Sequence, residues 1–126
     1  MVQLSSALLA SILVAVTSAR PNGFINHGCN RNSLRYENNP DSSNYGYLSA
    51  ACDRPRSINL NVCIANNNGM LVWDTVKHSF TKSCSNCSVN NTAILACKCN
   101  SGNGVRDAAI NLNDGIAFQF GQMTCN

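Results

Sequence analysis

Eight cysteines are the residues of this sequence with the most evident chemistry. Cys84 and Cys87 have the two-residue spacing found in zinc sites, whereas Cys97 and Cys99 are separated by a single residue. An even number of cysteines is typical of a disulfide framework when a small chain is exported to an oxidising compartment. If the chain is exported, the sequence therefore predicts four disulfides and no metal, formed by Cys29, Cys52, Cys63, Cys84, Cys87, Cys97, Cys99 and Cys125.

The first 19 residues have the pattern of a signal peptide. An apolar run from Ala7 to Val16 is followed by the small residues Thr17-Ser18-Ala19 and then by Arg20. A membrane-spanning helix needs about 20 apolar residues, so this run is too short to be a membrane anchor. The sequence predicts a secreted, extracellular protein with no membrane insertion, whose mature part is residues 20–126 and contains all eight cysteines.

Groups that could catalyse a reaction are few. The histidines are His27 and His78, and the carboxylates are scattered without a paired motif suited to glycosidic acid–base chemistry. The net charge is +3 with 12% charged residues, and the basic residues form no stripe of the kind that binds nucleic acid. These observations favour a binding protein over an enzyme, with no cofactor and no nucleic-acid partner. The six carboxylates are Glu37, Asp41, Asp53, Asp74, Asp107 and Asp114.

Two N-glycosylation sequons lie close together. They are Asn86-Cys87-Ser88 and Asn90-Asn91-Thr92, in a stretch rich in serine and asparagine that we expect to be an exposed loop. The sequence therefore predicts a glycoprotein modified at Asn86 and Asn90.

The mature chain contains an internal repeat. The segments Ser57–Asn61 and Ala109–Asn113 share the pattern Ile-Asn-Leu-Asn, and each is followed by an isoleucine and a glycine at the same offsets. Upstream, both copies read Leu-x-x-x-Cys, ending at Cys52 and Cys99, and both begin with a phenylalanine before a cysteine. The order of these features predicts two repeats, over about 24–73 and 80–125.

Each repeat is predicted to consist of short β-strands and turns. Runs at 45–52, 92–99 and 70–73 have the length and composition of strands, and Asn66-Asn67-Asn68-Gly69 is a strong turn signal. The segment 58–64 fits either a strand or one helical turn. Because no segment has extended helical periodicity, the predicted class is all-β with isolated 3₁₀ turns.

The order of these motifs over Phe24 to Cys125 resembles the cyanovirin-N homology (CVNH) family. The resemblance implies two tandem repeats, each a three-stranded antiparallel sheet plus a β-hairpin, related by a pseudo-two-fold axis and exchanging strands. It also implies metal-free binding of high-mannose glycans and a monomer or a domain-swapped dimer. The family's bridges correspond to Cys29–Cys52 and Cys84–Cys99; nearly equal index sums then favour Cys87–Cys97 inside the second bridge, which leaves Cys63–Cys125.

The resemblance implies two sugar sites at opposite ends of the molecule. At the first site, polarity is largely kept, although Ala65 stands where the family has an acidic residue. At the second, Phe118 and Phe120 stand where the family is polar, so we expect them to fill the core or an interface and the site to be weak. An exposed ring that stacks on a sugar is the alternative. The first site comprises Asn68, Ser79, Lys82, Ser83, Asn100, Ser101 and Asn103; the second comprises Asn26, His27 and Asp53, with Pro55 nearby.

A second function remains open on the sequence alone. The Asn-Leu-Asn and Asn-Gly motifs are required by the turns themselves, so they indicate the fold and not the activity. A secreted structural or interaction protein that keeps the scaffold and has lost sugar binding would carry the same motifs. The residues at the sugar positions are what distinguish the two functions.

Overall fold

The computed structural model describes residues 23–125, so the signal peptide predicted for residues 1–19 lies outside the described part. The strands of the first half are β1 (Arg35–Tyr36), β2 (Tyr47–Ala51), β3 (Pro55–Asn59), β4 (Ile64–Asn67) and β5 (Met70–Trp73). Those of the second half are β6 (Cys84–Val89), β7 (Ile94–Asn100), β8 (Val105–Asn111), β9 (Ile116–Gln119) and β10 (Gln122–Cys125). Short 3₁₀ turns span Phe24–His27, Arg31–Ser33, Leu60–Val62, Phe80–Lys82 and Leu112–Asp114.

The two halves have the same topology. In the first half β1, β2 and β3 form an antiparallel sheet and β4 pairs with β5 as a hairpin. In the second half β6, β7 and β8 form the sheet and β9 pairs with β10. The predicted fold class, two repeats of a three-stranded sheet plus a hairpin, is confirmed.

Alternating residues of the central strands build the core. Leu48 and Ala50 of β2 are buried, as are Leu95, Cys97 and Cys99 of β7, while the residues between them are exposed. This period of two is what a strand produces when one face of its sheet is covered.

The predicted turn at 66–69 is the tip of the β4–β5 hairpin. Asn68 and Gly69 occupy it with φ of 53° and 92°. Asparagine and glycine tolerate this left-handed conformation better than other residues, and a two-residue hairpin turn requires it at both positions.

The Asn-Leu-Asn motif is both a strand end and a helical turn, which resolves the ambiguity over 58–64. The first asparagine ends a strand, and its side chain accepts a hydrogen bond from the N–H two residues later, as an N-cap does. The leucine of the motif, Leu60 or Leu112, is fully buried. The motif is therefore structural in both halves.

The second asparagine of each motif ties its half to the other. Asn61 Oδ1 accepts hydrogen bonds from the Thr81 N–H (3.1 Å) and hydroxyl (2.9 Å). At the corresponding place, Asn113 Oδ1 accepts a hydrogen bond from Ile25 N–H at 2.8 Å. Each hairpin also packs on the sheet of the other half: β5 contacts β8 of the second sheet, and β10 contacts β3 of the first.

All eight cysteines form disulfides, and their pairing is the one expected from the sequence. Cys29–Cys52 lies within the first half, whereas Cys84–Cys99 and Cys87–Cys97 bridge β6 and β7. Cys63–Cys125 joins the two halves. With every cysteine bonded, no thiolate is left for zinc.

The Ser/Asn-rich stretch before β7 differs from the expectation. Instead of an exposed loop, Cys84–Val89 is the edge strand β6, with an irregularity between Ser85 and Ser88 where Asn86 has φ of 52°. The Cys87–Cys97 bond holds this segment against β7, which local composition does not reveal. The turn that follows, with Asn90 to Thr92, is exposed as expected.

Candidate functional site

Asn66 fixes the first hairpin to the second sheet. Its side-chain N–H₂ group donates to Ser83 Oγ and to the Asn100 carbonyl, both at 2.9 Å. Its carbonyl oxygen accepts a hydrogen bond from the Gly69 N–H at 2.7 Å, which closes the turn. One amide side chain therefore sets both the shape of the hairpin tip and its position.

A glycine allows the hairpin tip to approach the loop after β7. A Cβ added at Gly69 would lie 2.9 Å from the Cβ of Ser101 and 3.0 Å from Cδ of Arg106, both closer than side chains ordinarily allow. At the same junction, the Oδ1 atom of Asn68 lies 3.7 Å from the position of a Cβ built on Gly102. Asn68 and the loop 101–104 are thus neighbours.

Ser83 and Asn100 are held rigidly beside this junction. They flank the Cys84–Cys99 disulfide, Ser83 just before β6 and Asn100 at the end of β7, and Asn100 N–H donates to the Ser83 carbonyl at 3.0 Å. A disulfide across paired strands keeps these two polar residues at a fixed separation, which is what a preorganised binding site requires.

Ser101 has a different position from the other predicted contact residues. It is 5% exposed, and its hydroxyl donates to the Gly104 carbonyl at 3.0 Å while its N–H donates to the same oxygen at 2.8 Å. Ser101 therefore shapes the loop that presents the exposed Asn103.

Ser79 and Lys82 lie at the 3₁₀ turn that leads into β6. Ser79 has φ of 75°, its N–H donates to the Asn61 carbonyl at 2.7 Å, and its hydroxyl contacts His78 Nδ1 at 2.8 Å. Lys82 is exposed. The structure thus brings Asn68, Ser83, Asn100 and Ser101 together, with Ser79, Lys82 and Asn103 on the adjoining turn and loop.

A polar cleft adjoins the same hairpin. Its volume is about 240 Å³. The backbone N–H groups of Lys77 and Val76 hold the pKa of the Asp74 carboxyl below its usual value, and both donate to Oδ1 at 2.9 Å. The cleft therefore contains an ionised acceptor. Its lining residues are Ala65, Asn66, Asn67, Val72, Asp74 and Lys77.

The residues of the second predicted sugar site have different interactions from those of the first. Asp53 accepts hydrogen bonds from Arg56 Nε at 2.9 Å and Nη2 at 2.8 Å, so its carboxylate already has a bidentate partner. The Arg56 side chain, by this hydrogen bond, also holds the pKa of Asp53 below its usual value. The exposed Asn26 and His27 lie near Asp53 through the Cys29–Cys52 bond.

Phe118 and Phe120 have separate positions at this end. Phe118 is half-buried against the core, and its ring lies 3.6 Å from the position of a Cβ on Gly28, which agrees with the expected core role. Phe120 is 100% exposed at the tip of the β9–β10 hairpin, with φ of 54°. The expectation of a core role is wrong for Phe120, because strand alternation would turn residues 118 and 120 to one face but the hairpin ends between them.

Asn66 and Asp74 are functional candidates that the sequence analysis missed. Asn66 was included only in the turn signal, and its counterpart in the second repeat is Phe118, 52 positions later. The two repeats thus differ at this matched position, with an amide in the first and a phenyl ring in the second. This difference is the sequence feature that could have identified Asn66. Asp74 stood only among the scattered carboxylates, because its place in the cleft depends on the pairing of β4 with β5.

Between residues 23 and 125, no helix is long and apolar enough to cross a membrane. The same part of the chain contains no group of three or more His, Cys, Asp or Glu side chains placed to hold a metal ion.

The chain is similar to known proteins of one family. The CVNH domain profile matches residues 27–124, whereas no curated protein sequence matches the chain significantly. Microvirin in its mannobiose complex has a TM-score of 0.62 and 25% identity, covering 82% of this chain and 99% of that one. A MoCVNH3 variant in complex with (N-GlcNAc)4 has a TM-score of 0.65 and 13% identity, covering 79% and 94%.

A third similar structure is a CVNH protein of another organism. The CVNH protein of Gibberella zeae has a TM-score of 0.56 and 20% identity, covering 76% of this chain and 95% of that one. Relatives with this fold are carbohydrate-binding lectins. Since the family match spans most of the sequence and the two-repeat fold agrees with it, this chain belongs to the CVNH domain family.

Proposed function

We propose that this chain is a secreted lectin that binds mannose-rich oligosaccharides, without a metal and without catalysis, at the first-hairpin end. The observation that carries the proposal is the junction made by Asn66, which fixes the tip of one repeat against the loop of the other. Around it lie exposed amides, half-buried hydroxyls and the exposed Lys82 side chain.

This junction suits sugar recognition for a physical reason. Sugar hydroxyls both donate and accept hydrogen bonds, and amide side chains such as Asn68 and Asn103 do the same. Binding is favourable when the protein groups are already ordered, because little conformational entropy is then lost. The Cys84–Cys99 disulfide, which lies next to Ser83 and Asn100, and the hairpin turn supply that order. The likeness to microvirin, whose structure holds mannobiose, supports mannose as the sugar.

The experiment is titration calorimetry and glycan-array binding of the mature protein with mannobiose and oligomannose. Asn68→Ala and Lys82→Ala are expected to weaken binding about 3- to 10-fold each, the value of one hydrogen bond. Asn38→Ala, an exposed asparagine between β1 and β2, is the matched control and should bind as the wild type does. No oligosaccharide binding by the wild type would instead favour a scaffold protein that has lost the activity.

Secretion and glycosylation belong to the same proposal. Asn90 Oδ1 accepts hydrogen bonds from the Thr92 N–H (3.0 Å) and hydroxyl (2.7 Å) in an exposed turn. Asn86 is exposed on the edge strand. Expression of the full chain in a eukaryotic secretory host should give a mature protein in the medium that begins near residue 20, and enzymatic removal of N-glycans should lower its mass.

A further inference from the structure

One face of the first hairpin forms the polar cleft beside the proposed sugar site. Side chains alternate between the two faces of a strand, so Ala65 and Asn67 of β4 share a face with Val72 of β5, which pairs with Ala65. Asp74 follows β5 and continues this face, and its N–H donates to the Cys63 carbonyl at 2.9 Å. The cleft is therefore part of the hairpin that Asn66 fixes.

Asp74 is prepared for a ligand by the loop that follows it. Its Oδ1 atom accepts both loop hydrogen bonds, from the Val76 and Lys77 N–H groups at 2.9 Å. Within residues 23–125 no hydrogen bond uses its Oδ2 atom. One carboxylate oxygen thus holds the side chain in place, and the other remains available.

The cleft has the size and polarity of a site for one sugar ring. About 240 Å³ is below the range of roughly 300–1,000 Å³ typical of drug-sized ligands. A carboxylate accepts hydrogen bonds from sugar hydroxyls, while an ammonium group and amides donate to them. Asp74, Lys77 and Asn67 provide these three kinds of group in a single cleft.

We propose that Asp74 is the acidic acceptor for the bound sugar in this cleft and that Lys77 donates from its other side. Ala65, which lines the same cleft, has only a methyl group and cannot accept a hydrogen bond. Asp74 lies across the hairpin from it and supplies the carboxylate. This assignment rests on the proposed lectin function and extends its sugar site into the adjoining cleft.

Asp74→Asn is the informative variant because an amide oxygen can accept the same two backbone N–H bonds. The substitution therefore removes the charge and keeps the loop. Mannobiose affinity is expected to fall about 10-fold, since hydrogen bonds to charged acceptors are roughly twice as strong as neutral ones. Lys77→Met keeps most of the apolar stem and should lower affinity by a smaller factor. Asp41→Asn, an exposed carboxyl between β1 and β2, is the charge-matched control and should have no effect.

A second readout locates the ligand directly. In a ¹H–¹⁵N NMR titration of the wild type with mannobiose, the amide signals of Val76 and Lys77 should shift, because both N–H groups bond to Asp74. Wild-type binding that Asp74→Asn leaves unchanged, with no shift of these signals, would overturn this assignment alone. Absence of wild-type binding would overturn both the assignment and the lectin function.

Discussion

The two hairpins occupy equivalent places in the two repeats and differ at their tips. Asn66 and Asn68 in the first correspond to Phe118 and Phe120 in the second, 52 positions later. In the first hairpin, an amide bonds the tip to the opposite sheet and leaves a polar junction. In the second, Phe118 packs over Gly28, Phe120 is exposed, and the next residue, Gly121, lies beside the arginine of an arginine–carboxylate pair. The two repeats therefore have the same fold but different side chains at their hairpin tips.

The same symmetry relates two junctions between the halves. Cys63 and Cys125 correspond by the 52-residue offset to Gly115 and Trp73. A disulfide joins the first pair, whereas at the second the Trp73 ring packs so closely over Gly115 that no side chain fits there. Both junctions between the halves are therefore present, one formed by a disulfide bond and the other by a tryptophan ring packed on a glycine.

The largest expected effect comes from opening the inter-repeat disulfide. Its closed loop has a sequence separation of 62, so the double variant Cys63→Ser/Cys125→Ser should lower the free energy of unfolding by about 4 kcal/mol. The bond between Cys87 and Cys97 has a separation of 10, and its removal should cost about 3 kcal/mol. Urea unfolding without reductant measures both.

A smaller loss at Cys63/Cys125 than at Cys87/Cys97 would contradict the view that this bond holds the halves together. Light scattering gives a second measurement of that role. The Cys63–Cys125 bond closes the two halves within one chain, so the wild type should be monomeric and the double variant should form more dimer by exchange of halves.

The next largest effect is expected at Asn66, the amide that distinguishes the first hairpin from the second. Asn66→Ala removes three hydrogen bonds and should lower the free energy of unfolding by about 2–3 kcal/mol, at about 1 kcal/mol for each bond. Oligosaccharide affinity should fall with it, because the hairpin tip loses its position. Thermal unfolding and calorimetry measure the two quantities. The control is Asn67→Ala, at the exposed neighbouring residue, which should change the free energy of unfolding by less than about 0.5 kcal/mol. An equal loss of stability in both variants would show that Asn66 has no special role.

The smallest expected effect concerns the tip residues. Phe120 has a left-handed backbone that costs a phenylalanine roughly 1 kcal/mol, whereas asparagine tolerates it. Phe120→Asn should therefore raise the free energy of unfolding by up to about 1 kcal/mol in a chemical denaturation series. Asn68→Phe, the reciprocal change, should lower it by a similar amount. A stability loss in Phe120→Asn would mean that the exposed ring makes a contact worth more than the backbone strain.

Much of the fold followed from particular residues. The Asn-Gly turn, the alternation in β2 and β7 and the duplicated Asn-Leu-Asn motif all act through contacts close in sequence, so their patterns predict their structures. The Ser/Asn-rich stretch at 85–89 was misassigned because its strand depends on the Cys87–Cys97 bond to β7. Phe120 was misassigned because its burial depends on where the hairpin ends.

The candidate site was less predictable than the fold. The polar character of Asn68, Ser83, Asn100 and Asn103 was readable, because residue type alone determines it. The structural role of Ser101 and the place of Asp74 in the cleft were not, since residue type alone does not show how a side chain is used in its loop.

Duplication, disulfide bonding and an all-β fold can be read from the sequence, because composition, periodicity and repeated motifs act locally along each half. Which half presents a polar junction becomes evident from the folded molecule. That choice depends on contacts between residues far apart in sequence: Asn66 with Ser83 and Asn100, or Phe118 with Gly28. Interactions between residues close in sequence are the same in both repeats because the motifs are repeated. The contacts between the halves differ, because different side chains meet at the two junctions.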